Sequence, residues 1–152
     1  MKKVILSVLL SLSLNVQAWE CGSEQQGIDT PINKHIEFAT EIYMGRVINS
    51  YLVEEIDKVV FELKVSELFK GRYKNHVTLF TSSNPANPEI SIGNSYIVFL
   101  YGSNDVNFCG VTINLGYINN LDLLKDQAEN GRFEQRQIEQ IRALLAYKGA
   151  QP

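Results

Sequence analysis

The stretch from Lys58 to Phe69 constrains this chain more than any other. Val59, Phe61, Leu63 and Val65 alternate there with Val60, Glu62, Lys64 and Ser66. A period of two puts the first set on one face of an extended strand and the second on the other. The run ends at Lys70-Gly71, a turn signal. Shorter runs of the same kind lie around it. Ile42 to Ile48 is rich in β-branched and aromatic residues, and Gly45 inside it predicts a bulge or a close approach of two backbones. His76 to Thr81 reads as a third strand. Tyr96 to Tyr101 is an unbroken apolar run that suits a strand covered on both faces. Asn107 to Ile113, with Cys109 inside it, reads as a fifth.

Between these runs, Ser82 to Pro88 carries two prolines and two asparagines and reads as an open loop, while Ile92 to Ser95 and Gly102 to Asp105 read as turns. Thr30-Pro31 predicts a helix start, with Thr30 as the N-cap and Ile32, Ile36 and Ala39 at helical spacing behind it. Leu121 to Glu129 and Arg132 to Tyr147 read as helices. The second presents Ile138, Ile141 and Leu145 on one face, with Gly149 placed as a C-cap. Five strands joined by short turns, with helices at the flanks, predict a mainly β fold, a small closed or nearly closed five-stranded antiparallel barrel.

The amino terminus carries a different message. Lys2 and Lys3, the apolar run from Val4 to Leu14 and the Val16-Gln17-Ala18 site have the layout of a secretory signal over residues 1–18. The apolar run is too short for a membrane span, which needs roughly 20 residues. No second span follows, so the expected product is exported, to the periplasm or the medium, as one domain over residues 19–152 with a helical extension from about residue 121. Without Lys2 and Lys3 the chain keeps 12 basic residues against its 17 acidic ones, taking the net charge from −3 to −5. That balance argues against general nucleic-acid binding, which needs a basic surface to displace counterions from phosphate.

In an oxidising compartment the even pair Cys21 and Cys109 favours a disulfide. The competing reading is a catalytic thiol with His35 or His76 as its base. Neither histidine stands in a recognisable context, and both read as surface residues. No Asp or Glu stands at ligand spacing from them, so no metal and no cofactor are expected. Glu54-Glu55-Ile56-Asp57 reads as a solvated hairpin turn, with too few oxygen ligands for a calcium loop. Seven tyrosines (43, 51, 73, 96, 101, 117 and 147) are candidates for a binding face, which barrels of this kind form from exposed aromatics.

Several segments together resemble the bacterial tissue-inhibitor-of-metalloproteinases-like group of the netrin-like (NTR) superfamily. These are a cysteine soon after the signal, Phe38 to Val47, Val60 to Val65 with Phe69-Lys70-Gly71, Val77 to Leu79, Gly93 to Phe99, and Asn107 to Gly110. The resemblance covers roughly Cys21 to Leu124 and implies an OB-like barrel. It also implies an inhibitory terminus, because in that family an N-terminal Cys-x-Cys chelates the protease zinc through its α-amine and carbonyl. Trp19-Glu20-Cys21 stands there in this chain, so Trp19 replaces the first cysteine. The loop that would hold its partner, Ser82 to Pro88, has none. The remaining pair, Cys21 and Cys109, matches the family's other bridge.

These departures weigh against inhibition. An unbridged terminus costs roughly 1–2 kcal/mol per residue to order, and Glu20 would bring a carboxylate into a pocket that is commonly apolar. The expected function is therefore a non-catalytic binding module for a protein partner. Metalloprotease inhibition through Trp19, Glu20 and Cys21 is the alternative, and a hydrolase with a Cys or His active site a more distant one. Ser82, Ser83, Asn84 and Pro85 are the expected partner-contact loop.

Overall fold

The computed structural model describes residues 30–82, 89–106, 110–131 and 133–151. The predicted signal, Trp19, Glu20, Cys21, Ser83, Asn84, Pro85 and Cys109 lie outside the described residues. The described elements are α1 (Ile32–Phe38), β1 (Glu41–Val53), a 3₁₀ turn (Glu54–Ile56), β2 (Lys58–Lys70), β3 (His76–Ser82), β4 (Ser95–Leu100), β5 (Thr112–Gly116), α2 (Leu121–Glu129) and α3 (Gln135–Gly149).

The five strands form a single antiparallel sheet in the order β3-β2-β1-β4-β5. The alternation read in Lys58 to Phe69 is realised in β2, where Phe61, Leu63 and Val65 are buried on one face with Val59 packed beside them. Pairing between β1 and β2 slips at Ile42/Tyr43, at Met44/Gly45 and again at Val47/Asn49. Such bulges increase local twist, and the sheet curls. Gly45 stands where the two backbones come closest. A Cβ there would collide with the Lys64 carbonyl oxygen and lie 2.9 Å from Leu63 Cγ.

The curl brings the outer edge of β3 to the chain that follows β4. Phe80 N–H donates to Asn104 O at 2.9 Å, Val106 N–H donates to Phe80 O at 2.7 Å, and Phe80 and Asp105 form one parallel bridge. Lys58 on β2 pairs with Asp105 at the same place. The sheet is not closed further, so the predicted barrel is a curled sheet pinned at one bridge.

Two apolar cores follow from this geometry. Inside the curl lie Tyr43, Val47, Phe61, Leu63, Val65, Val77, Leu79, Tyr96, Val98, Leu100 and Val106. On the outer face, Ile42, Met44, Ile97, Phe99, Ile113 and Leu115 meet Ile36, Leu124, Ile141 and Leu144 of the three helices. β4 separates the two cores and is buried along its whole length, as its unbroken apolar run predicts.

Five local expectations need correction. Pro31, not Thr30, is the N-cap of α1, and no side chain caps it. β1 runs on to Val53 because β2 pairs with it as far as Val53↔Lys58. The fifth strand is Thr112–Gly116 rather than Asn107–Ile113, since Ile113 and Leu115 are the alternate residues that reach the helix layer. In α3 the buried residues are Ile138, Ile141 and Leu144, with Leu145 only partly covered, and the C-cap is Ala150 rather than Gly149, which is the last helical residue. The helix starts with a capping box between Glu134 and Gln137, which sets its rotation.

Candidate functional site: the β1–β2 ribbon

β4 pairs with β1 only from Glu41 to Arg46. Val47 still exchanges backbone hydrogen bonds with the turn before β4, donating to Asn94 O at 3.0 Å and accepting from Gly93 N–H at 2.8 Å. Beyond that point β1 and β2 continue as a ribbon, and no described strand lies along the outer edge of β1 from Ile48 to Val53. An edge of this kind presents unpaired N–H and C=O groups to whatever approaches it.

The ribbon's side chains are apolar in the same place. Ile48 is 41% exposed, Tyr51 53%, Leu52 55% and Ile56 54%. Tyr51 and Leu52, consecutive on β1, point to opposite faces, so both faces of the ribbon carry exposed apolar side chains. Glu54, Glu55 and Asp57 surround them at the tip. The turn closes because Asp57 takes the left-handed conformation (φ 48°) and donates its N–H to Glu54 O at 3.2 Å. Asp is among the residues that tolerate this region. The acidic cluster is thus a solvated hairpin turn, as its sequence predicts.

Ser82, the first residue of the expected contact loop, ends β3 in register with Lys58 at the base of the ribbon. That places the start of the loop at the same end of the sheet as the tip. The structure does not bring the tyrosines together on one face. Tyr43 and Tyr96 are core residues whose hydroxyls are committed, Tyr43 to Arg72 O at 2.7 Å and Tyr96 to Ser91 N–H at 2.8 Å. Tyr51, Tyr73 and Tyr117 are exposed, on separate elements.

The histidines divide. His76 opens β3 at the surface, with Nδ1 3.7 Å from a Glu62 carboxylate oxygen. His35 is the correction, because it is 2% exposed and buried rather than superficial. Its Nδ1 lies 2.8 Å from the Tyr101 hydroxyl, and its ring packs edge-on against Phe99 and Tyr101. Burial pushes the Tyr101 phenol up to about 12, against a smaller lowering by a hydrogen bond from the Val111 backbone. A phenol held protonated beside a buried imidazole is a structural hydrogen bond rather than a nucleophile and base open to substrate.

Elsewhere a polar cleft of about 510 Å³ lies between Glu41, Arg72, Lys74 and Asn104. Lys74 and Glu41 are ion-paired in it at 2.9 Å. That hydrogen bond to Glu41 raises the Lys74 pKa, and burial together with Glu41 raises that of Tyr43 beneath it. Neither histidine lines the cleft. Among the described residues no three His, Cys, Asp or Glu side chains gather as a metal-ligating group, and no helix is long and apolar enough to cross a membrane.

Sequence reasoning passed over Ile48, Leu52 and Ile56. The available signal was the failure of alternation after Val47, where apolar residues persist into an acidic turn. No protein-family model matches this chain, and no curated protein matches its sequence.

Proposed function

We propose that this protein is an exported, non-catalytic binding module that engages a protein partner through the β1–β2 ribbon. One observation carries the reading: Ile48, Tyr51, Leu52 and Ile56 are exposed on a ribbon whose β1 edge has no strand beside it among the described residues. An open edge supplies main-chain hydrogen bonds and the apolar side chains supply buried area, which together are the parts of strand-addition recognition. The acidic tip selects against acidic partners and favours a basic rim opposite. Export over residues 1–18 and a Cys21–Cys109 bridge belong to the same proposal. The bridge would tie the amino-terminal segment to the connection between β4 and β5, where Cys109 stands in sequence.

Site-specific photocrosslinking in cells exporting the protein tests this. A photoreactive residue at position 52 is expected to capture a discrete protein, and the same residue at Lys125 on α2 is not. Tyr51→Ser in the position-52 protein should remove the crosslink while leaving the fold intact. Equal capture from both positions, or none from position 52, overturns the reading. Metalloprotease inhibition through Trp19 and Glu20 is the separate alternative. Inhibition abolished by one residue added before Trp19, and unaffected by Leu52→Asp, would establish it instead.

A further inference from the structure

Arg46 and Lys64 face each other across β1 and β2 as register partners. Like charges directly opposite in an antiparallel pair repel. The row continues on both sides, to His76 on β3 and to Ser95 on β4. Arg46 follows Ile42 and Met44 on the helix-covered face of β1, just beyond the point where that cover ends. A cleft of about 220 Å³ opens there, lined by Arg46, Lys64, Val65, Ser66 and Asn119.

Among the described residues, no carboxylate is paired with the cations of this cleft. Lys34, Lys58, Lys74 and Lys148 each hold a carboxylate, but no ion pair reaches Arg46 or Lys64 among the described residues. Glu62, the carboxylate next along β2 on the same face, lies 3.7 Å from His76 Nδ1. The Arg46 Nε–H is fully buried and has no acceptor, and the Ser95 hydroxyl beside it in the row is also buried without a partner. Asn119, which lines the cleft, accepts at its side-chain oxygen from Asn120 (3.4 Å), so its NH₂ group is the donor it can offer a ligand. Ser66 is occupied, donating to Met44 O at 3.3 Å. In a chain with more acidic than basic residues, two facing cations without a carboxylate are an unrelieved feature.

We propose that this cleft is a binding site for one tetrahedral oxyanion, a phosphate or sulfate group. Arg46 donates from the outer Nη groups of its guanidinium, Lys64 supplies a movable ammonium, and Asn119 a neutral amide. Donors from three separate elements converge on a small volume without an opposing carboxylate. That arrangement suits an anion with oxygens in several directions better than a planar carboxylate, which the guanidinium fork alone would satisfy. Bound there, the anion relieves the repulsion between Arg46 and Lys64 across β1 and β2.

The test is a ¹H–¹⁵N NMR titration of the exported protein with sodium phosphate at constant ionic strength, observing the Arg46 Nε–H and the Asn119 side-chain amide. Saturable shifts confined to this cleft are expected, together with a rise in melting temperature. Lys64→Gln, at an exposed position, should weaken binding at least about tenfold, the loss expected for one charged hydrogen bond. Arg46→Met should abolish it. Parallel titrations with sulfate and glycerol 3-phosphate separate a free ion from an esterified group as the source, and binding of any of the three supports the site. Linear, unsaturable shifts spread over all basic residues would overturn the proposal. So would acetate binding as tightly as phosphate, or phosphate binding unchanged in Lys64→Gln.

Discussion

At Gly45 a single hydrogen in place of a side chain lets β2 cross β1 at bonding distance. Gly45→Ala forces a methyl group against the Lys64 carbonyl and the Leu63 side chain. Overpacking of this kind costs about 1–3 kcal/mol, so the urea midpoint should fall while the unfolding slope stays constant. The His35–Tyr101 contact answers to pH instead. An unfolded tyrosine ionises at 10.0, whereas the buried Tyr101 phenol does so at about 12. Between those values the unfolded chain has already lost a proton that the fold keeps, so unfolding gains. Stability from this group is complete below pH 10 and is lost as pH rises through 12. Denaturation midpoints from pH 9 to 11.5 should decline, and Tyr101→Phe should flatten the decline while lowering stability by about 1–3 kcal/mol at pH 7, because His35 Nδ1 loses this partner. His35 itself was misread from sequence because its neighbours on the short helix are polar. Only the turn of α1 against β4 shows that it points inward.

Among the elements, α1 depends on others. It has seven residues, too few to be stable alone, and no side chain caps its start. Lys70 at the end of β2 donates to the Ile36 and Glu37 carbonyls, both at 2.8 Å, placing a cation at the helix C-terminus. Lys70→Met should destabilise the protein by about 0.5–2 kcal/mol, with amide exchange accelerated in α1 before the sheet. Uniform acceleration through β1, β2 and β4 would show that the contact supports the whole fold rather than the helix. The strands were far more legible than this helix. β2 declares itself by alternation and β4 by its apolar run, because each buries a regular set of side chains against neighbours on fixed faces. β5 was displaced in the sequence reading because Asn107 to Ile113 and Thr112 to Gly116 alternate about equally well, and only packing on α2 and α3 chooses between them.

On the scale of the whole molecule, the expected Cys21–Cys109 bridge would close a separation of 88 residues. In the chain-entropy description such a closure stabilises by about 4–5 kcal/mol. The exported protein should show no alkylatable thiol until reduced, and reduction should lower its melting temperature. Two thiols reactive in the unreduced native chain would refute the bridge. The sheet itself is held together differently. Its curl accompanies three register shifts between β1 and β2, and the bridge at Phe80 and Asp105, supported by the Lys58–Asp105 ion pair, covers the free edge of β3.

The sequence by itself determined that this chain is a mainly β domain with flanking helices, because alternation and turn residues act within a few neighbours of each other and need no knowledge of the rest. It also marked one of the three register shifts, at Gly45, since a glycine inside β1 admits a close approach of the neighbouring backbone. What only the tertiary structure decided is which surfaces remain open. Whether Ile48, Tyr51 and Leu52 are core or exposed surface depends on where β4 stops pairing with β1. Whether Arg46 and Lys64 find carboxylates depends on which side chains the register sets beside them. Both are properties of strand pairing between residues far apart in the chain, and local periodicity carries no information about them.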